Sequence, residues 1–174
     1  MGRDETDFSK RNLYWYIMIF ASLGTMDMPF YRMAKAVDEW AATTDEEVIV
    51  QTGYTNYPYK HAHAFQFCTK DEMQSYIDKA SLLILQGGWG AISEAMDKEK
   101  KIVVIPRFDK TEHIHDQFQL IRKLDELGCV VGVFDEKELP VKIEHAKNFQ
   151  FQKLKKGNAE NLIEEKLKQW FTNK

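Results

Sequence analysis

Four apolar runs, at 13–22, 48–52, 82–86 and 102–105, are each stopped within two residues by glycine or proline, namely Gly24, Gly53, Gly87 and Pro106. The runs are continuous rather than alternating and rich in Ile, Val, Leu and aromatic residues, the pattern of strands buried on both faces. After the first, Phe30, Met33, Ala34, Val37, Trp40 and Ala41 recur at helical spacing to about Ala42, with Asp27 a candidate N-cap and Pro29 suited to the first turn. A third strand is expected at 64–68. Thr69 and Glu72 then stand at capping-box spacing ahead of Met73, Ile77 and Ala80, the apolar face of a short helix. Further helices are expected at 91–98 and from about Ile114 to Leu127, where Gly128 stands ready as a C-cap, and a sixth strand at 129–134. Buried strands that alternate with helices predict an α/β fold: a doubly wound, mostly parallel six-stranded sheet.

Length and charge narrow the function classes. A chain of 174 residues has room for one domain and buries roughly 70% of its unfolded surface. Basic residues number 24 and acidic ones 27, with no long basic run, which argues against electrostatic nucleic-acid binding. Cys68 and Cys129 are too few for a disulfide framework and read as buried thiols in a reducing compartment. The longest apolar run falls short of the about 20 residues a membrane span needs. Residues 1–12 lack an apolar signal core and read as a polar leader, although Met1-Gly2 with Thr6 also fits a bare myristoylation pattern. Past Asp135 the chain turns polar and lysine-rich, and Leu162, Ile163, Lys166, Leu167 and Trp170 suggest a final amphipathic helix. The expected organisation is a leader at 1–12, a core domain at 13–139, and a polar connection with a C-terminal helix at 140–174, in the cytoplasm.

In open parallel sheets ligands bind beyond the carboxyl ends of the strands, so the residues after each strand matter most. Gly24-Thr25 follows the first strand, Gln86-Gly87-Gly88-Trp89-Gly90-Ala91 the fourth, and Pro106-Arg107 with Glu112-His113 the fifth. A glycine-rich loop opening a helix lets backbone N–H groups approach an anion at the positive end of the helix dipole, and diphosphate fits that chemistry. Glu94, in the first turns of the same helix, could accept hydrogen bonds from paired ribose hydroxyls. A tight βα turn followed by a helix-start carboxylate explains the same residues without a ligand. Glu112, His113, His115, Asp116 and Gln117 crowd donors and acceptors that suit sugar hydroxyls or a solvated polar cap; their spacing does not match the i, i+4 histidine pair of a zinc helix, and no metal is expected. His61 and His63 read as surface residues. No serine stands in a nucleophile elbow, and no Gly-x-Gly-x-x-Gly follows the first strand, so hydrolase and dehydrogenase readings lose ground.

The order Phe20-Ala-Ser-Leu-Gly24-Thr25, Pro29-Phe30-Tyr-Arg32, Val48-Ile-Val-Gln51-Thr-Gly53, Gln86-Gly-Gly-Trp-Gly90-Ala-Ile-Ser-Glu94, Ile105-Pro106-Arg107, Glu112-His113 and Asp116-Gln117 resembles the C-terminal half of family 28 glycosyltransferases. The likeness covers about 13–139 and is greatest to free-standing, PssE-like members, the donor-binding subunits of two-subunit transferases. It implies a Rossmann-like domain, half of a GT-B fold, that binds a UDP-sugar as substrate with no further cofactor. By position it implies that Gly24 and Thr25 form the first glycine loop, that Gly87, Gly88, Gly90 and Ala91 face the diphosphate, that Glu94 holds the ribose, and that Asp116 and Gln117 lie near the donor sugar. Gln86, Arg107, Glu112 and His113 complete the expected donor site. The position before the glycine pair, usually histidine in the free-standing members, is Gln86 here.

The resemblance therefore implies a hexosyltransferase subunit that inverts configuration and serves bacterial exopolysaccharide or capsule synthesis. Its acceptor is expected to be a lipid-linked saccharide. The 174 residues leave no space for the other half of a GT-B enzyme, so the acceptor site and the general base are expected on a membrane-associated partner that recruits this chain to the inner face of the membrane. The alternative is a non-catalytic accessory subunit that stabilises or recruits that partner, which Gln86 in the histidine position favours.

Overall fold

The computed structural model describes residues 18–108, 111–112 and 116–154. The polar leader, the amphiphilic pattern around 162–170, His113 and His115 lie outside the described residues.

Six strands form one sheet: β1 (Met18–Ser22), β2 (Glu47–Gln51), β3 (His63–Phe65), β4 (Leu82–Gln86), β5 (Ile102–Ile105) and β6 (Val131–Gly132). Their order is β3-β2-β1-β4-β5-β6 and every pairing is parallel. The expected α/β doubly wound sheet is thus present, and its parallelism is complete. Among the described residues five α-helices cover it: α1 (Tyr31–Ala41), α2 (Lys70–Lys79), α3 (Trp89–Asp97), α4 (Phe118–Glu126) and α5 (Leu139–Asn148).

Strand side chains alternate between faces, and this divides the core in two. Ile19, Ala21, Val50, Ile84 and Val103 pack beneath α1 and α5, while Phe20, Leu83, Leu85, Ile102 and Val104 pack beneath α2, α3 and α4. Both faces being covered explains why the strands read as unbroken apolar runs. Each fully buried Ile or Leu contributes about 1.5–3 kcal/mol to folding.

Several local expectations shift. Phe30, not Asp27, is the N-cap of α1; its N–H donates to Thr55 Oγ1 at 2.9 Å, so a distant loop does the work of a capping side chain. β3 begins at His63 and ends at Phe65, short of Cys68; it pairs with Ile49, Val50 and Gln51 of β2, which itself ends at Gln51. α4 starts at Phe118 rather than near Ile114. β6 is cut to two residues, with Gly128 at φ +69° turning the chain into it. The polar stretch after Asp135 holds a 3-10 turn at Glu136–Glu138 and the whole of α5, whose Leu139, Ile143 and Ala146 are buried. Among the described residues no helix is long and apolar enough to cross a membrane.

Candidate functional site

The chain runs outward from β1 to β2 and β3, then returns to β4 on the other side of β1. A doubly wound sheet opens a crevice at such a reversal, beyond the carboxyl ends of the two adjacent strands. Here those ends carry Gly24-Thr25 after β1 and Gln86-Gly87-Gly88 after β4. A cleft of about 330 Å³ lies between them. Gly24, Thr25, Gln86, Gly88, Gly90, Ala91 and Glu94 line it, as do Phe20, Met73, Ile77, Leu83 and Leu85 from the sheet and α2. The result is a polar mouth over an apolar floor, the usual composition of a small-molecule site.

The first loop is locked from the neighbouring strand. Ser22 and Gln51 are register partners; Ser22 Oγ donates to Gln51 Oε1 at 2.7 Å, and Gln51 Nε2 donates to the carbonyls of Gly24 and Gln66, each at 3.1 Å. Gly24 has φ +85°, a conformation that favours glycine. A side chain at Gly53, itself at φ +56°, would run into the Gly24 carbonyl.

The second loop leads into α3, whose N-cap is Gly88 and which no side chain caps among the described residues. α2 differs: Thr69 and Glu72 close its N-terminus with the predicted capping box. The first-turn N–H groups of α3 are therefore left to the cleft, where the helix dipole adds roughly half a positive charge. The three glycines of this loop have different reasons. A Cβ at Gly87 would stand 2.9 Å from the Cβ of Gln117, which requires glycine there, whereas one at Gly88 would crowd only the movable amide end of Gln86, with Cδ at 3.1 Å. A Cβ at Gly90 would meet nothing within 4 Å. No internal contact requires glycine there, and in a helix it costs about 1 kcal/mol relative to alanine. Open space at the start of an uncapped helix is the room a bound anion needs.

Glu94 stands at the cleft rim, half-buried, and accepts a hydrogen bond from Gln74 Nε2 of α2. Gln74 and Gln51 are site residues that sequence reading missed. Neither belongs to a glycine loop, and only the pairing of distant elements brings them in.

The third loop supports the site from below. Arg107 is fully buried; its guanidinium donates to the carbonyls of Met28 and Glu112 at 2.7 Å and of Leu23 at 2.8 Å, and it lies over the Phe30 ring. Burial pushes its pKa down to about 10, which leaves it charged at neutral pH. Glu112 is buried too and holds Arg32 through Nε at 2.8 Å and Nη2 at 2.9 Å. Arg32 also pairs with Glu136 and sits between the rings of Phe30 and Phe108. Arg107 and Glu112 thus anchor the loops after β1 and β5 and do not line the cleft. Asp116 is exposed and accepts from the Phe118 N–H at 2.7 Å, fixing the start of α4. Gln117 is buried directly behind Gln86. His61 and His63 are exposed, as expected of surface residues.

The chain matches the family model described as glycosyltransferase family 28 C-terminal domain over residues 19–169. No curated protein sequence matches it. Among solved structures it is similar to the glycotransferase of kitacinnamycin, with a TM-score of 0.59 and 18% identity over 84% of this chain and 39% of that one. It is also similar to MurG of Acinetobacter baumannii (TM-score 0.53, 11% identity, 76% of this chain and 42% of that one). A third likeness is to the glycosyltransferase SnogD of Streptomyces nogalater (TM-score 0.51, 14% identity, 75% and 38%). The chain spans about two fifths of the length of these structures, and at such identities the likeness is one of fold, the Rossmann-like half of a GT-B architecture. With residues 19–169 matched by the family model, the chain belongs to the glycosyltransferase family 28 C-terminal domain family.

Proposed function

We propose that this chain is the donor-binding part of a glycosyltransferase that inverts configuration and uses a UDP-sugar in making bacterial polysaccharide on a lipid-linked acceptor. The observation that carries the reading is the cleft itself. An uncapped α3 N-terminus with open space at Gly90 suits a diphosphate, and Glu94 at the rim suits a ribose. In such a transfer the leaving diphosphate gains negative charge as the glycosidic bond breaks. The α3 amides would stabilise that charge more in the transition state than in the ground state. The general base for the acceptor hydroxyl would come from the acceptor-binding half, on a membrane-associated partner. Exposed aromatics support a covering surface on this edge: Tyr31, Tyr54, Phe67, Trp89 and Phe108 all follow strand carboxyl ends. The carboxylate of Glu94, already oriented by Gln74, is expected to carry the choice of ribonucleotide.

Titration calorimetry of the full chain with UDP, UDP-sugars and other nucleoside diphosphates tests the reading. Glu94→Ala should weaken UDP by about tenfold or more, the worth of a charged hydrogen bond. If UDP does not bind the wild-type chain, even with its partner present, the proposal fails.

A further inference from the structure

The glutamines at the cleft are chained in one direction. The backbone N–H of Arg107, which can only donate, donates to Gln117 Oε1 at 3.0 Å. An amide whose oxygen is taken this way turns its nitrogen the other way, and Gln117 Nε2 donates to Gln86 Oε1 at 3.1 Å. That leaves Gln86 with its NH₂ outward. Its Nε2 lies 3.2 Å from where a Cβ on Gly24 would stand and also crowds the Gly88 position, between the first loop and the α3 N-terminus, in the cleft wall. Among the described residues this NH₂ makes no hydrogen bond. Turning the Gln117 amide over would set its NH₂ against the Arg107 N–H, donor against donor, in a buried place where an unpaired polar group costs dearly. The buried backbone of β5's exit thus decides which end of Gln86 faces the cleft.

We infer that Gln117 is a positioning residue that, through Gln86, presents a neutral donor-only group to an acceptor-only ligand group, the diphosphate oxygens of the nucleotide. This rests on the nucleotide-binding reading above. Reversed, Gln86 would aim its carbonyl oxygen at the phosphates and repel them.

The test compares UDP with uridine, which lacks the diphosphate, by calorimetry on the full chain. In Gln117→Glu the carboxylate still accepts from Arg107 but can only accept from Gln86, which must then turn over. The ratio of uridine to UDP dissociation constants should fall by about tenfold or more, with uridine affinity itself unchanged. In a Gln86→Met background the same substitution should leave the ratio unmoved, whereas a long-range effect of the new charge would persist. If Gln117→Glu does not fold, the same cycle is run with Gln117→Met, which removes both the donor to Gln86 and the acceptor of the Arg107 N–H without adding charge; it frees the Gln86 amide to turn rather than reversing it, so the ratio should fall by less. A ratio that stays constant in the Gln117 variant, or falls equally in the Gln86→Met background, overturns the inference. Absence of UDP binding to the wild-type chain overturns the site reading instead.

Discussion

Gly87 and Gln117 pack so closely that a methyl group on residue 87 would stand 2.9 Å from the Gln117 Cβ and 3.0 Å from its Cδ. The two come from different loops, after β4 and ahead of α4, and their contact seats Gln117 behind Gln86. A glycine that reads in sequence as a phosphate contact is thus also a packing requirement.

Alanine substitutions should separate the loop glycines. Gly87→Ala should destabilise the fold by about 1–3 kcal/mol through overpacking against Gln117. Gly90→Ala should do the reverse, raising helix stability by up to about 1 kcal/mol while weakening UDP. Denaturant melts with and without UDP check both. A Gly90→Ala variant that binds UDP as well as wild type would show that the open space there is unused.

Asp38 should make stability depend on acid. Burial pushes its carboxyl up, but the backbone N–H groups of His61, Ala62 and Lys60 outweigh that and hold it below the ordinary aspartate value. Its folded value lies below its unfolded one, so the carboxylate contributes stability above about pH 4 and loses it as the pH falls through the folded value. Asp38→Asn should cost about 1–3 kcal/mol at pH 7. The difference from wild type should shrink as unfolding is measured at progressively lower pH below 4; a constant difference would contradict the assignment.

Tyr59 carries a buried hydroxyl with no hydrogen-bond partner among the described residues, and burial together with the charge of Asp38 raises its pKa, so it stays neutral. Removing an unsatisfied hydroxyl while keeping the ring should be neutral or stabilising by up to about 1 kcal/mol. Thermal unfolding of Tyr59→Phe checks this, and a clear drop in melting temperature would reveal a partner.

Much of the fold was legible because its signals are local. The strand runs at 82–86 and 102–105, the Thr69/Glu72 capping box and Gly128 depend on neighbours within a few residues, and the structure bears out each of them. α5 escaped because only Leu139, Ile143 and Ala146 are buried in a stretch otherwise rich in charge; their burial comes from docking on the α1 face of the sheet. Asp27 failed as a cap because Thr55 holds the Phe30 N–H from across the fold.

The sequence by itself determined the alternation of strand and helix, the glycine loops at strand ends, and the resemblance to the family 28 C-terminal domain, which the family match bears out. Only the tertiary structure decided which loop residues face the cleft and which support it. Glu112 and Arg107 look like ligand groups along the chain, yet Arg32, 80 positions from Glu112, and the carbonyls of Leu23 and Met28 claim them. A charged side chain's role depends on the partners that desolvate and pair it. Those partners arrive from strands adjacent in the sheet but remote in the sequence.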